Sequence, residues 1–216
     1  MTSSPDLAAL LCSRLCHDLV SPVAAFGNGL ELLEQESDPA MRQSCVDLLN
    51  QSAKAAADKL AFFRYAFGGA GATVQEMPVD EPQALIAALA ANGRGARVEW
   101  AVADATLPGP ATRILLNLAG IALDALVRGG TLAIAAERRG PVTEIAIRAE
   151  GERIALDRDI ARALDGALSA HQLSSRTAQA ALVRQLVEDE GGTLQHAAAD
   201  GMLVLGATIG LAGDDA

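Results

Sequence analysis

The stretch LAALLCSRLCHDLVSPVAAFGNGLELLEQE, residues 7–36, decides the fold of this chain. On a helix, which turns about 100° per residue, its apolar side chains fall within a sector of about 100°. The apolar residues of this sector are Leu11, Leu15, Leu19, Pro22, Phe26, Leu30 and Leu33. His17 projects roughly opposite the stripe, so the sequence predicts a long amphipathic helix with an exposed histidine.

A turn at residues 37–39 separates this helix from a second one. Ser37 or Asp38 is suited to cap the second helix, and apolar residues recur at helical spacing over 41–67. The glycines at 68–69 are predicted to end it. The two helices predict an antiparallel hairpin, and because one hairpin cannot bury both apolar stripes, we expect a homodimer that forms a four-helix bundle.

The remainder of the chain has a different pattern. A Gly-rich segment, residues 69–78, predicts a linker between a hairpin domain at 1–68 and a second domain at 79–216. The second domain alternates helical and strand patterns, which favours an α/β sandwich with one mixed sheet covered by helices. Its helices are predicted at 82–91, 111–128, 160–168 and 174–190, and its strands at 97–102, 131–136, 142–148, 193–195 and 202–209.

Composition excludes several classes of function. The 216 residues carry 27 Asp and Glu against 17 Lys and Arg, a formal net charge of -10. Such a chain lacks the basic surface that nucleic acid or an anionic membrane requires. No apolar run approaches the roughly 18 residues of a membrane span, so we expect a cytoplasmic protein. The three cysteines, Cys12, Cys16 and Cys45, lie in helical patterns and predict neither a metal site nor a disulfide framework.

The exposed histidine lies in a motif. His17, Asp18, Ser21 and Pro22 belong to the string HDLVSP, which resembles the H-box of sensor histidine kinases, H-E/D-L-x-x-P. Proline inside a helix removes one backbone hydrogen bond. We therefore expect Pro22 to bend or loosen the helix just after His17.

Three segments of the second domain resemble the nucleotide-binding motifs of the same kinases. They are NLAGIALDALVRGG at 117–130, IAIRAEGERI at 145–154 and TAQAALVRQLVEDEGGTL at 177–194. The resemblance is incomplete at the positions that would hold ATP. Ile121 stands in place of a metal-binding Asn, Ala149 in place of an adenine-reading Asp, and Arg153, Thr177 and Gln179 in place of glycines.

These replacements remove nucleotide chemistry. Ile121 cannot coordinate Mg²⁺, which requires oxygen ligands, and Ala149 offers no hydrogen-bond acceptor to adenine. Side chains at the former glycine positions obstruct close approach of the backbone to phosphate. We therefore predict a degenerate GHKL ATPase-like domain that retains the fold, lacks ATP and needs no cofactor.

Taken together, the chain resembles the ChpT-type histidine phosphotransferases of alphaproteobacterial phosphorelays over essentially its whole length. The resemblance implies that His17 accepts a phosphoryl group from the aspartate of a receiver domain, which belongs to a hybrid histidine kinase. The histidine then passes the group to the aspartate of one or more response regulators. Mg²⁺ is expected to come with the receiver.

The resemblance and the helical projection together give a set of candidate site residues. His17 is the predicted nucleophile, and Asp18 is predicted to hold the imidazole. The predicted receiver-binding residues are Arg14, Ser21, Ala24, Asn28, Lys59 and Phe63, of which the last two approach from the second helix. The aromatic cluster around Phe63 is also expected to seal the end of the hairpin against the second domain.

Two other functions fit parts of the sequence. A non-catalytic protein that sequesters a kinase or a receiver would keep the docking face but would not need HDLVSP. An ATP-dependent histidine kinase with altered nucleotide ligands would need both domains. Phosphorylated receiver separates the first alternative from phosphotransfer, and nucleotide titration separates the second.

Overall fold

The N-terminal region is an antiparallel helical hairpin in the computed structural model, which describes residues 4–68, 75–93 and 95–210. Helix α1 spans Ser4–Gln35 and helix α2 spans Pro39–Ala66. The side chain of Asp38 caps α2 by accepting hydrogen bonds from the backbone N–H groups of Ala40 and Met41, at 2.9 and 3.0 Å. The hairpin and its N-cap are as predicted.

The end of α2 differs from the prediction. The C-cap is Phe67, which has right-handed backbone angles and so does not need glycine. Its ring stacks on that of Phe63 at a centroid distance of 4.8 Å, which fixes the last turn by side-chain packing. Gly69 lies outside the described residues.

Part of the predicted linker, residues 76–78, forms a strand. Glu76–Pro78 forms strand β1, which pairs antiparallel with strand β3, Thr106–Pro108. Residues 69–74, which complete the predicted linker, lie outside the described residues. The division into domains at these boundaries stays a prediction.

The second region is an α/β structure, as predicted. The strands of its main sheet are β2 Ala96–Val102, β4 Gly130–Arg139, β5 Val142–Glu150, β6 Thr193–Ala199 and β7 Met202–Gly210. Within the described residues this sheet has the strand order β2-β4-β5-β7-β6, with β2 and β4 parallel and the other neighbours antiparallel. The remaining helices are α3 Asp80–Ala91, α4 Gly109–Ala125, α5 Arg158–Leu164 and α6 Ala178–Asp189, with a 3-10 turn at Ala170–Gln172.

The core lies between one face of this sheet and its helices. Along β5, residues alternate between buried and exposed, so Ile145 and Ile147 face the helices while Ala146 and Arg148 face outward. Helix α4 lies centrally against β4, β5 and β7. The prediction of a sheet covered by helices is therefore confirmed for one of its faces.

The hairpin packs directly on the second region. Phe62, Phe63 and Ala66 of α2 belong to the same hydrophobic core as the residues of α4. Gly120 makes this close approach possible, because a Cβ atom there would lie 2.6 Å from the side-chain amide nitrogen of Gln179 and 3.3 Å from the Phe62 ring. The two regions thus share a core.

Helix α1 bears on the expectation that no segment of the chain could span a membrane. Among the described residues, the segment Leu7–Gln35 is the one helix that is long and apolar enough, by length and composition, to cross a membrane. The segment contains no long uninterrupted apolar run, but it is apolar on average despite its charged residues. A second hydrophobic cluster joins its Leu7 and Leu11 to Ala178 and Leu182 of α6, so part of its apolar surface serves protein packing.

Candidate functional site

His17 lies in the middle of α1 with 82% of its side chain exposed. Its Nδ1 atom is 3.1 Å from Oδ1 of Asp18, whose side chain is 17% exposed. An ionised carboxylate can only accept hydrogen bonds, so Nδ1 carries the hydrogen in this contact. The lone pair of Nε2 is then free on the solvent side, which is the state required of a nucleophilic imidazole.

Arg14 joins this pair to the second region. Its Nε donates to Oδ2 of Asp18 at 2.7 Å, and its Nη2 donates to Oδ2 of Asp124, on α4, at 2.5 Å. Only 15% of the Arg14 side chain is exposed. Burial acts to lower the pKa of Arg14, but the carboxylates of Asp124 and Asp18 outweigh it, so the net pKa is raised. Arg14 is a permanent cation between two acids.

Lys59 supports the backbone beside the nucleophile. In a regular helix the carbonyl of residue 18 accepts from the N–H of residue 22, but Pro22 has none. The Nζ atom of Lys59, on α2, donates to the carbonyl oxygen of Asp18 at 2.9 Å. A cation from the neighbouring helix therefore satisfies the acceptor that proline leaves free, and α1 continues through Pro22.

A cavity of about 370 Å³ opens at this junction between the hairpin and the second region. Its polar lining comes from both sides, and its apolar lining comes mainly from α2, α3 and α4. The polar side chains that line it are Arg14, Asp18, Lys59, Asn92, Asp124 and Gln179. The acid and the cation beside His17 are thus held at an interface rather than on an isolated helix.

The predicted receiver-binding residues separate into two groups. Ser21, Ala24 and Asn28 are exposed and project on the same side of α1 as His17. Arg14 and Lys59 are partly buried and engaged with Asp18.

Phe63 departs from its predicted place in the receiver-binding set. It is 6% exposed because it packs in the shared core, so the structure does not support a place for it on a docking surface. Its burial confirms the other expectation, that the aromatic cluster seals the hairpin against the second domain.

Four of the five positions that differ from the kinase motifs are buried, whereas Arg153 is exposed. Ile121 and Ala149 belong to the hydrophobic core, at 4% and 0% exposed. The Gln179 side chain, 4% exposed, donates from Nε2 to the backbone carbonyl of Asn117 at 3.1 Å. Ile121 and Ala149 therefore serve as packing, and Gln179 connects α6 to α4.

Two residues of the junction escaped the sequence reasoning. Asp124 lies 110 positions from Arg14, and no local pattern marks it. Asn117 begins the motif at 117–130, which does not signal the contact that its side chain makes. It is fully buried, and its Nδ2 donates to the carbonyl of Ala66 at 2.7 Å, which satisfies an acceptor at the C-terminal end of α2.

No metal centre is evident in the described part of the chain. Within residues 4–68, 75–93 and 95–210, no group of three or more His, Cys, Asp or Glu side chains is arranged to hold a metal ion.

Comparisons with known proteins agree on one family. The family model for the histidine phosphotransferase C-terminal domain matches residues 79–201. The protein phosphotransferase ChpT of Brucella abortus (strain 2308) is 32% identical over 199 residues, covering 92% of this chain and 93% of that protein.

Solved structures give the same family and a wider fold relationship. A bacterial phosphotransferase solved at 1.7 Å is 30% identical, with a TM-score of 0.84 over 96% of this chain and 98% of that chain. The histidine kinase domain from the blue-light-activated kinase of Erythrobacter litoralis EL346 has a TM-score of 0.50 and 12% identity, over 88% and 94% of the two chains. The second similarity shows the fold alone.

Proposed function

Because this chain belongs to the histidine phosphotransferase family, we propose that His17 is the residue that carries the phosphoryl group. The protein is a phosphotransferase of a phosphorelay. The observation that supports His17 is its exposure combined with the contact of its Nδ1 with Asp18, which leaves Nε2 free to react.

The first step is transfer from a receiver domain. The Nε2 lone pair attacks the phosphorus of an aspartyl phosphate, the N–P bond forms, and the receiver's carboxylate leaves with the electrons of the broken O–P bond. Nδ1 keeps its hydrogen throughout. The resulting phosphoimidazole is positively charged at the ring, and Asp18 lies 3.1 Å from Nδ1 to stabilise that charge.

The second step reverses the first with a different receiver. The aspartate of a downstream response regulator attacks the phosphorus, and Nε2 leaves as a neutral imidazole. We assign the donor receiver to a hybrid histidine kinase and the acceptors to one or more response regulators. Each receiver supplies its own Mg²⁺ and acid cluster, so this chain contributes a positioned nucleophile.

The docking surface proposed for these receivers surrounds His17. Ser21, Ala24 and Asn28 line it, and the small Ala24 leaves room for close approach. Asn28 and Ser21 can donate hydrogen bonds to the phosphoryl group or to the receiver. Arg14 and Lys59 contribute from beneath the surface through Asp18.

We further propose that the second domain does not bind ATP. The positions that would bind metal and adenine are occupied by Ile121 and Ala149, whose side chains pack in the core, and two positions of the phosphate loop carry the buried polar side chains of Thr177 and Gln179. Phe62 covers α4 at Gly120, beside the same helix face. Titration with ATP and Mg²⁺ tests this proposal, and saturable binding at micromolar concentration would contradict it.

The proposed assembly is a homodimer through the hairpin. Among the described residues, large exposed hydrophobic side chains occur mostly on α1 and α2. They are Val20, Val23, Leu30, Leu32, Met41, Leu48 and Leu60, with Met202 outside the hairpin. A second hairpin that buries part of this surface completes a four-helix bundle. Cys12, Cys16 and Cys45 are free, which fits the cytoplasm as the proposed location.

Incubation with a phosphorylated receiver tests the role of His17. Radiolabel from the receiver is expected on the wild-type chain and is expected to be lost in His17→Ala. His171→Ala is the matched control, because it removes an exposed histidine far from HDLVSP in the sequence. Label that persists after His17→Ala would contradict the proposal.

A further inference from the structure

Charge-assisted hydrogen bonds connect Asp124, in the second region, to His17 through Arg14 and Asp18. Arg14 donates from Nη2 to Oδ2 of Asp124 at 2.5 Å and from Nε to Oδ2 of Asp18 at 2.7 Å. The other carboxylate oxygen of Asp18, Oδ1, lies 3.1 Å from Nδ1 of His17. Each oxygen of Asp18 therefore has a different partner. From this geometry we infer that Asp124 is a positioning residue that acts through Arg14 and Asp18 to keep His17 in its reactive tautomer; the inference rests on the proposed function.

The arrangement needs an external support because of helix geometry. Residues 17 and 18 are adjacent on α1, and adjacent side chains point about 100° apart, so they do not normally face each other. Asp18 reaches Nδ1 only with its carboxylate turned toward His17. Arg14, one turn earlier, holds the other carboxylate oxygen and so fixes that orientation.

Arg14 alone does not determine this orientation. A guanidinium can bind both oxygens of one carboxylate side by side. If Arg14 did so with Asp18, the Oδ1 atom would be shared and Nδ1 would compete for its acceptor. In the structure Nη2 donates to Asp124 instead, and Oδ1 of Asp18 is left to His17.

The second region gains a role from this arrangement. Ile121 and Ala149 replace two of the kinase nucleotide ligands and are buried in the core. Helix α4 still places Asp124 against the hairpin beside the proposed nucleophile. Loss of the Asp124 charge is expected to let His17 populate both neutral tautomers. The tautomer with hydrogen on Nε2 has no lone pair directed at the incoming phosphorus, so it cannot react.

The test uses the full-length chain and two readouts. Asp124→Asn keeps the shape of the side chain and removes its charge, and 54% exposure of Asp124 makes misfolding a minor concern. We expect ¹⁵N spectra of the His17 imidazole to change from the Nδ1–H form to a mixture of tautomers. We also expect the single-turnover transfer rate at saturating phosphorylated receiver to fall about tenfold.

Two further variants separate positioning from a general effect of charge. Glu152→Gln removes an exposed acid that pairs with Arg128 elsewhere in the second region, and it is expected to change neither readout. Arg14→Gln should reproduce the effect of Asp124→Asn. If Asp124 acts through Arg14, the double variant should be no slower than Arg14→Gln alone.

The outcomes are distinguishable from failure of the proposed function. An unchanged tautomer spectrum, or a rate within twofold of wild type, would overturn the role of Asp124. A rise in the half-saturating receiver concentration without a change in tautomer would make Asp124 a receiver contact, which also overturns it. Label that never reaches the wild-type chain would overturn the proposed function, and the spectrum, which needs no receiver, would still decide the role of Asp124.

Discussion

Helices α1 and α4 are both rich in alanine and leucine, but they use these residues in opposite ways. Helix α4 buries 13 of its 17 residues in the core of the second region. Helix α1 leaves large apolar side chains such as Val20 and Val23 exposed, at 64% and 59%, together with His17. The second region thus buries most of its central helix, whereas the hairpin leaves large apolar side chains and a histidine exposed.

Under the proposed function, the contrast explains how a kinase-like fold would serve phosphotransfer without a nucleotide. Ile121 and Ala149 are buried in the core of the second region, which packs on both hairpin helices, through α4 on α2 and through α6 on α1. The proposed nucleophile stays exposed on the hairpin, while Arg14 and Asp18, its proposed orienting partners, are shielded at the junction. A rigid buried region thus fixes the geometry of an exposed one.

Charges on the exposed apolar surface should give the largest effect. Val23→Asp combined with Leu30→Asp places two like charges on one side of α1, and pairing of two hairpins would then bury four carboxylates, each costing several kcal/mol. We expect monomers at micromolar concentration by light scattering. Met202→Asp, on an exposed hydrophobic residue of the second region, is the control and should leave the dimer intact. A dimer that persists in the double variant would refute pairing through this surface.

Matched leucine truncations compare the two helices directly. Leu116 on α4 is fully buried, so Leu116→Ala should lower the free energy of unfolding by about 2–5 kcal/mol. Leu32 on α1 is 54% exposed in the single chain, and in the monomeric Val23→Asp, Leu30→Asp background Leu32→Ala should change it by no more than about 0.5 kcal/mol. Chemical denaturation measures both. Equal decreases in the free energy of unfolding would contradict the proposed difference between the buried helix α4 and the exposed helix α1.

The contact between Lys59 and the carbonyl of Asp18 gives a smaller, specific effect. Lys59→Met leaves that carbonyl without its donor and should cost about 1 kcal/mol of stability. In a Pro22→Ala background, residue 22 regains an N–H that can reach the same carbonyl, so the cost should shrink. Lys54→Met on α2 is the control and should cost the same in both backgrounds. Additive effects of Lys59 and Pro22 would contradict the assigned contact.

The smallest effect concerns the pH dependence of stability at Asp58, whose hydrogen bond with Asn92 also joins the two regions. Burial acts to raise the pKa of Asp58, but hydrogen bonds from Lys54 and Asn92 outweigh it and lower the pKa below its usual value. A lowered native pKa stabilises the fold above the unfolded value, about 4, and that contribution is lost as pH falls through the native pKa.

The difference in unfolding free energy between wild type and Asp58→Asn should therefore be larger at pH 6 than at pH 3, by less than about 1 kcal/mol. Denaturant titrations at the two pH values measure it. Asp47→Asn, at an exposed carboxylate on the same helix, is the comparison and should show a smaller change. A difference that grows toward low pH would reverse the predicted sign.

Most of the fold was predictable because its signals are local. Helical spacing, the Asp38 cap and strand alternation place most elements within a few residues of their observed bounds, whereas the short strands β1 and β3 were not predicted. The ends were less accurate, as at Phe67, where ring stacking replaces the expected glycine cap. His196 illustrates the limit for contacts, since its Nε2 lies 2.9 Å from Oδ1 of Asp165, 31 residues away, and no pattern signals the pair.

The sequence by itself determined the exposed histidine, its acidic neighbour and the proline one turn later, because helical periodicity fixes which residues share a face. Only the tertiary structure decided which side chains surround them. Phe63 is buried in the shared core, and Asp124 accepts a hydrogen bond from Arg14. Lys59 donates to the carbonyl that Pro22 leaves free. Contacts between distant segments depend on how complete elements pack, and no spacing within one element encodes that packing.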